Sequence, residues 1–420
     1  MPAQAAVAIK ATVPTGSMAD LTATLAGVEP DAVAPLMSSI GGVHFARLLV
    51  VPGASDVGGA DLPDSLTYLA EIDGAASAHL RALSDRGGAL LDSVFSLCEG
   101  YPRSPDPAAR YAWLCTHTVD SAASYTNTIG LGVQQVRQES LLYERLQVFL
   151  DDHDDELRLL SPREVHRRVR AYSGQDPALL FALVPADPLP VGHRVKAALT
   201  VLLTGTAVVV TLPVTVAVGV PWLLALRRRE RSDPVDATRP SAESVQRLRA
   251  QEDHVAYNSF AAVGIVKPGA LRRRTMEVVL AAISFGVQHV FHRGSLAGVT
   301  TIHFARWVAL DDKRRVIFTS YYDGSLESYM DDFIDKLSWG LNLVFSNGLG
   351  YPRTRWLVLG GARDEQSFKD YLRCHQLSTA VCYSAYDSLT TANITNNAAV
   401  RAGLARELTD AQAHDWLARL

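Results

Sequence analysis

His44-Phe45-Ala46-Arg47 and Gly100-Tyr101-Pro102-Arg103 return in the same order as His303-Phe304-Ala305-Arg306 and Gly350-Tyr351-Pro352-Arg353. Two matched tetrapeptides in matched order exceed coincidence and mark a duplicated supersecondary unit. Between them, Asp73-Gly74 answers to Asp323-Gly324. The His-to-Gly spacing is 56 in the first copy and 47 in the second, and the excess falls in a Gly/Pro/Asp-rich insertion at 52–63.

Outward from these anchors, periodicity gives each copy the same order of elements. In the first copy, residues 6–13, 44–51, 65–72 and 111–117 read as strands, and 18–27 and 75–97 as helices. In the second, 259–266, 302–310, 314–321 and 355–359 read as strands, and 271–292 and 325–347 as helices. The order is βαββαβ twice, hence an α+β chain. Such a unit makes a four-stranded antiparallel sheet with both helices on one face, and its bare face needs cover. The matching face of the other copy is the cheapest cover.

In this order and duplication, over more than half its length, the chain resembles the ferredoxin-like dimeric α/β-barrel superfamily, which includes dye-decolorising peroxidases, chlorite dismutases and cofactor-free monooxygenases. The counterparts of the peroxidases' Gly-x-x-Asp-Gly stretch are Ser320-Tyr321-Tyr322-Asp323-Gly324 and Ala70-Glu71-Ile72-Asp73-Gly74, both without the first Gly. The resemblance implies two ferredoxin-like repeats packed as a pseudo-dimeric α/β barrel around a cavity. It also implies a peroxidase-like oxidoreductase with haem as the expected cofactor.

Composition narrows the classes. Among 420 residues, 48% are hydrophobic and 20% charged, which excludes disorder, and the net charge of −4 excludes a general nucleic-acid binder. Mean hydropathy is +0.07, too low for a polytopic transporter. Four cysteines make no CxxC pair, so no zinc knuckle or disulfide framework is signalled and a reducing compartment fits. Walker, GxGxxG, HExxH and GxSxG motifs are absent, which removes the usual support for phosphate-loop, dinucleotide and serine-hydrolase readings.

Residues 197–226 carry no charge and are flanked by Arg194 and Lys196 before and by Arg227, Arg228, Arg229 and Arg231 after. As one helix this segment is about 45 Å long, against a hydrocarbon core of about 30 Å. Pro213, Gly219 and Pro221 offer breaks, and the arms 197–212 and 214–226 are each too short to cross alone. If the copies share one cavity they lie on the same side of a bilayer, which favours a hairpin dipping into one leaflet over a single span. Basic flanks place both copies in the cytoplasm. The expected domains are 1–118 and 258–362 for the repeats, 119–193 for a helical extension (its first part, 119–150, a long helix), and 194–231 for the membrane segment. A linker, 232–257, and a C-terminal helical extension, 363–420, complete the chain.

Candidate chemistry lies in the second copy. His303 and His375 are candidate haem ligands or acid/base groups, Arg306 a candidate clamp for a carboxylate or peroxide, and Arg353 a candidate cofactor-binding residue. Tyr322 and Asp323 complete the candidate catalytic set. Each has a plainer reading: His303 and Arg306 as strand-end structural residues, Asp73 and Asp323 as cap or turn residues, and the aromatics as core. A His and an Arg three apart on a strand face opposite ways unless a bulge intervenes, so one of each pair is structural. His289 and His292 are either metal ligands or helix-end residues. The helix 271–292, with its basic start, either lies in the membrane interface or covers the barrel. The expected function is a membrane-attached oxidoreductase acting on a lipid hydroperoxide or quinone-like substrate. Its alternative is a non-catalytic lipid-binding or scaffold protein at the membrane. Expected partners are a lipid membrane and an apolar small molecule, with homo-oligomerisation left open.

Overall fold

The computed structural model describes residues 4–104, 106–186, 191–233, 238–253, 255–290 and 294–420, without the side chains at 191–194, 196 and 197. The chain is mixed α+β. Eight principal strands, β1 (Gln4–Thr12), β2 (Val43–Val51), β3 (Ser65–Asp73), β4 (Ser121–Thr126), β5 (Tyr257–Ile265), β6 (Ile302–Leu310), β7 (Arg315–Asp323) and β8 (Thr379–Ser384), form two four-stranded antiparallel sheets. The central strands β2, β3, β6 and β7 are buried along nearly their whole length, as expected of apolar runs covered on both faces.

The first sheet runs β1-β3-β2-β8 and the second β4-β6-β7-β5. Each sheet therefore takes three strands from one copy and its fourth from the other. β8 pairs with β2, placing Cys382 opposite Arg47 and Ser384 opposite Phe45. β4 pairs with β6 in the equivalent register, placing Ser124 opposite Arg306 and Thr126 opposite Phe304. The residues leading into each exchanged strand close the outer edge of their own copy's sheet. The Lys10 amide donates to the His117 carbonyl (2.9 Å) and the Val119 amide to Ala8 (2.8 Å), while the Leu377 amide donates to Ala261 on β5 (2.8 Å). These bonds cover the middle of each edge strand, β1 and β5, and so blunt it as a template for other chains.

The sheets face each other through Ala8, Leu49, Val51 and Leu69 from the first and Ala261, Val308, Leu310 and Ile317 from the second, which form one core. The outer face of the first sheet is covered by helices that bring Leu21, Val33, Leu80 and Val94, and that of the second by helices that bring Met276, Leu280, Tyr329 and Phe333. A third core joins helices Val133–Asp152 and Pro162–Gln175 to Thr391–Leu404 and Asp410–Leu417, so the two extensions of the copies also pack together.

Several sequence expectations are corrected. Residues 111–117 belong to a helix, Pro107–Thr116, because Asp106 caps it through the Ala109 amide (2.7 Å) with Pro107 at the first position. The fourth strand comes later, at β4, inside what reads as one long helix over 119–150, and that helix begins only at Val133. Residues 355–359 do not form one strand, since Trp356 and Leu357 have φ of 58° and 63°. The second copy's fourth strand is β8, beyond 362. The 75–97 helix is two, Ala76–Arg86 and Gly88–Phe95, meeting at Gly87. A side chain there would come 2.7 Å from the Leu83 carbonyl oxygen. The 232–257 linker contains a helix, Ala242–Arg249, capped by Ser241. Capping boxes opened by Ser161 and Thr409 start the helices Pro162–Gln175 and Asp410–Leu417.

The apolar segment is one helix, Val191–Ser232, of 42 residues, continuous through Pro213 and Pro221, not a hairpin. Its length is about 63 Å at 1.5 Å per residue. From Leu199 to Leu224 its valines and leucines are exposed on all sides, with Val209 at 70% and Val210 at 72%.

Under the first sheet, His79 is buried with Nε2 2.9 Å from the Tyr68 hydroxyl, and burial pushes its pKa down to about 4. The unfolded chain, with His near 6.5, binds the proton first as pH falls, so this contribution is complete above pH 6.5 and is lost on acidification toward pH 4. Urea denaturation at pH 7 and 4.5 should show a loss of about 2–3 kcal/mol from this group. His79→Gln should remove that part of the pH dependence.

Candidate functional site

A β-bulge falls at the His of each HFAR motif. The ladder steps from Val43↔Ile72 to Phe45↔Glu71 in one copy and from Ile302↔Tyr322 to Phe304↔Tyr321 in the other, leaving His44 and His303 as the extra residues. His44 lies 3.0 Å from Asp73 Oδ1 through Nε2 and 2.8 Å from the Tyr386 hydroxyl through Nδ1. His303 Nε2 lies 2.6 Å from Asp323 Oδ1. The second carboxylate oxygen of each Asp holds a helix N-terminus: the Val133 amide donates to Asp73 (2.8 Å), and the Thr391 amide and hydroxyl donate to Asp323 (2.8 and 2.7 Å). In both copies this is the helix that follows the exchanged strand. The His–Asp pairs thus fasten each copy's returning chain to its own sheet.

The arginines bind across the two sheets. Arg47 donates to the Tyr321 hydroxyl (3.0 Å) and to the carbonyls of Phe260 (3.0 Å) and Ser320 (3.1 Å), with its guanidinium 4.0 Å from the Tyr321 ring centroid. Arg306 donates to the Val7 carbonyl (2.7 Å) and sits 2.7 Å from Glu71 Oε1. Glu71 and Tyr321 hold matching positions, two residues before each Asp-Gly, so the cross-links obey the approximate two-fold relation between the copies. Burial pushes the Glu71 carboxyl up, opposed by Arg306 and Arg47, and burial likewise raises the Tyr321 phenol.

Of the predicted site, the structure brings His303 and Asp323 together and places Arg306 between the sheets. Tyr322 points to the other face of β7 and stacks on Tyr329 with ring centroids 3.9 Å apart. His375 ends the helix Glu365–His375, its Nδ1 2.8 Å from the Tyr371 carbonyl, and lines a cleft with Ile265 and Arg315, at the opposite end of the second sheet from His303. Arg353 is exposed in the turn after Gly350, whose φ of 79° supplies the left-handed turn. His292 lies outside the described residues, and among the described residues no group of three His, Cys, Asp or Glu could hold a metal. A haem ligand's nitrogen must face the iron, whereas His303 Nε2 faces Asp323 Oδ1 at 2.6 Å and its ring packs on Phe45 and Tyr386, with centroids 5.5 and 6.3 Å away.

Two features escaped the sequence reading. The foot of the apolar helix is locked to the second copy. Glu230 is buried and accepts from the Thr354 hydroxyl (2.9 Å) and the amides of Trp356 (2.9 Å) and Leu357 (2.7 Å). Asp233 pairs with Lys267 (2.9 Å) and Arg272, and the Trp222 indole donates to Thr275 (2.9 Å). Alongside, an almost wholly apolar cavity of about 260 Å³ lies between the helices Ala270–His289 and Leu326–Phe345, with Trp307 and Phe318 of the second sheet in its lining. The one available signal was apolar residues at helix positions that an ordinary amphipathic face leaves polar, notably Val278 and Trp339, which are 66% and 47% exposed. Set beside known proteins, the chain matches no family model, no curated protein and no solved structure.

Proposed function

We propose that the chain is a monotopic membrane protein, a ferredoxin-like pseudo-dimeric barrel held against one leaflet, with lipid binding rather than redox chemistry as its role. One observation carries the reading: residues before and after the apolar helix contribute strands to both sheets. A body knitted in this way lies on one side of a bilayer, so a helix joining its halves cannot cross once. Its side chains are aliphatic all round, so it has no polar face to lay on water. Continuous through Pro213 and Pro221, it lies within the leaflet against which the body rests and does not cross to the other. The exchanged strands and closed sheet edges support the barrel class, and Arg227, Arg228, Arg229 and Arg231 beside the body support a cytoplasmic face.

The oxidoreductase reading depends on an open space between the sheets. That space holds Arg47, Glu71, Arg306, Tyr321 and the aromatic cluster of Phe45, Phe304 and Tyr386, which favours the binding role. Flotation with phosphatidylcholine–phosphatidylglycerol vesicles tests it. The full chain should float and stay bound in 1 M salt, because hydrocarbon burial is not screened. A chain that remains at the bottom of the gradient, or leaves the vesicles in salt, contradicts it.

A further inference from the structure

The apolar cavity over the second sheet touches neither HFAR motif. Its walls are the helices Ala270–His289 and Leu326–Phe345, and its floor includes Trp307 and Phe318. Its lining is almost wholly apolar over a volume of about 260 Å³, so hydrocarbon is the chemistry it receives, and its position says from where. The wall residues Val279, Ile283 and Val287 share a helix with Thr275, which receives the hydrogen bond from Trp222 of the apolar helix. The two helices run antiparallel there, since Arg229 meets Pro268 while Trp222 meets Thr275. The apolar helix therefore leaves the body in the direction in which the cavity wall extends. Around the mouth Val278 and Trp339 are exposed, so a membrane that receives the helix also covers this rim. Arg273 and Arg228 stand exposed at the foot of the two helices, at the level where anionic headgroups lie.

Resting on the monotopic reading above, we infer that this cavity takes an acyl chain of a bilayer phospholipid, which enters from the leaflet between Val278 and Trp339. The lining offers almost no polar partner, so recognition is of hydrocarbon. The headgroup stays outside, within reach of the basic foot.

The test uses the full chain bound to phosphatidylcholine–phosphatidylglycerol vesicles whose acyl chains carry bromine, a contact quencher of indole fluorescence. Trp307 is buried at the cavity floor, so bromine reaches it only through the cavity. The fluorescence difference between the wild-type chain and Trp307→Phe isolates its emission. That emission should fall at least twofold in brominated vesicles relative to unbrominated ones. Ala282→Phe, which places a ring in the cavity, should abolish the fall while leaving flotation unchanged. Floating protein with unquenched Trp307 overturns the acyl-chain site and leaves the monotopic reading standing. Quenching that persists in Ala282→Phe also overturns the site. Failure to float overturns both readings. Should Trp307→Phe fail to fold, the quenching lost between wild type and Ala282→Phe carries the same decision.

Discussion

Arg306→Met is expected to destabilise the folded chain by about 3–5 kcal/mol, a third or more of the stability of an ordinary domain. Arg306 and Glu71 are both almost fully buried, 2.7 Å apart, and belong to different copies. Removing the guanidinium leaves a carboxyl already pushed up by burial with its nearest cation gone, and strips the Val7 carbonyl of its donor. The cost comes from the uncompensated group rather than from the worth of the pair, so Glu71→Leu in the same chain should recover most of it. Urea denaturation of the two single variants and the double variant measures this directly. If Arg306→Met lies within 1 kcal/mol of wild type, the pair does not hold the sheets together.

Val209→Asp should weaken binding to vesicles about a hundredfold or more, because a carboxylate at the centre of an apolar helix costs about 2.5–3.5 kcal/mol in hydrocarbon. Val209 is 70% exposed and touches no core, so the same substitution should leave urea stability of the detergent-free chain unchanged. Measured together, flotation and unfolding separate a lipid-facing residue from a structural one. Equal loss in both would mean that the helix packs on the protein.

Legibility in the sequence followed locality. The matched HFAR and GYPR tetrapeptides located both copies, and alternating or continuous apolar runs located β1, β2, β3, β5, β6 and β7 to within two or three residues. The bulge at His44 and His303 was the one condition under which His and Arg could share a face, and it is present in both copies. What stayed hidden was long-range. Nothing local in residues 121–126 or 379–384 says that each adds to the other copy's sheet, since the hydrogen bonds that decide it reach Arg306 and Arg47 far along the chain. Residues 111–117 misled because Tyr111, Trp113 and Cys115 alternate like a strand, whereas the Asp106-Pro107 start is a helix signal. The apolar segment was evident from charge alone, but its locked foot depends on Glu230 meeting the backbone of residues 356 and 357, which no spacing rule foretells.

The interwoven body is tested most directly by a membrane-impermeant maleimide applied to sealed vesicles carrying the chain. Cys115 of the first copy and Cys374 of the second are both exposed, and peptide mapping reports each site separately. With both copies on one face, the two cysteines should be modified to the same extent before the vesicles are opened. Modification of one alone, with the other appearing only after permeabilisation, would place the halves on opposite sides and contradict the shared sheets.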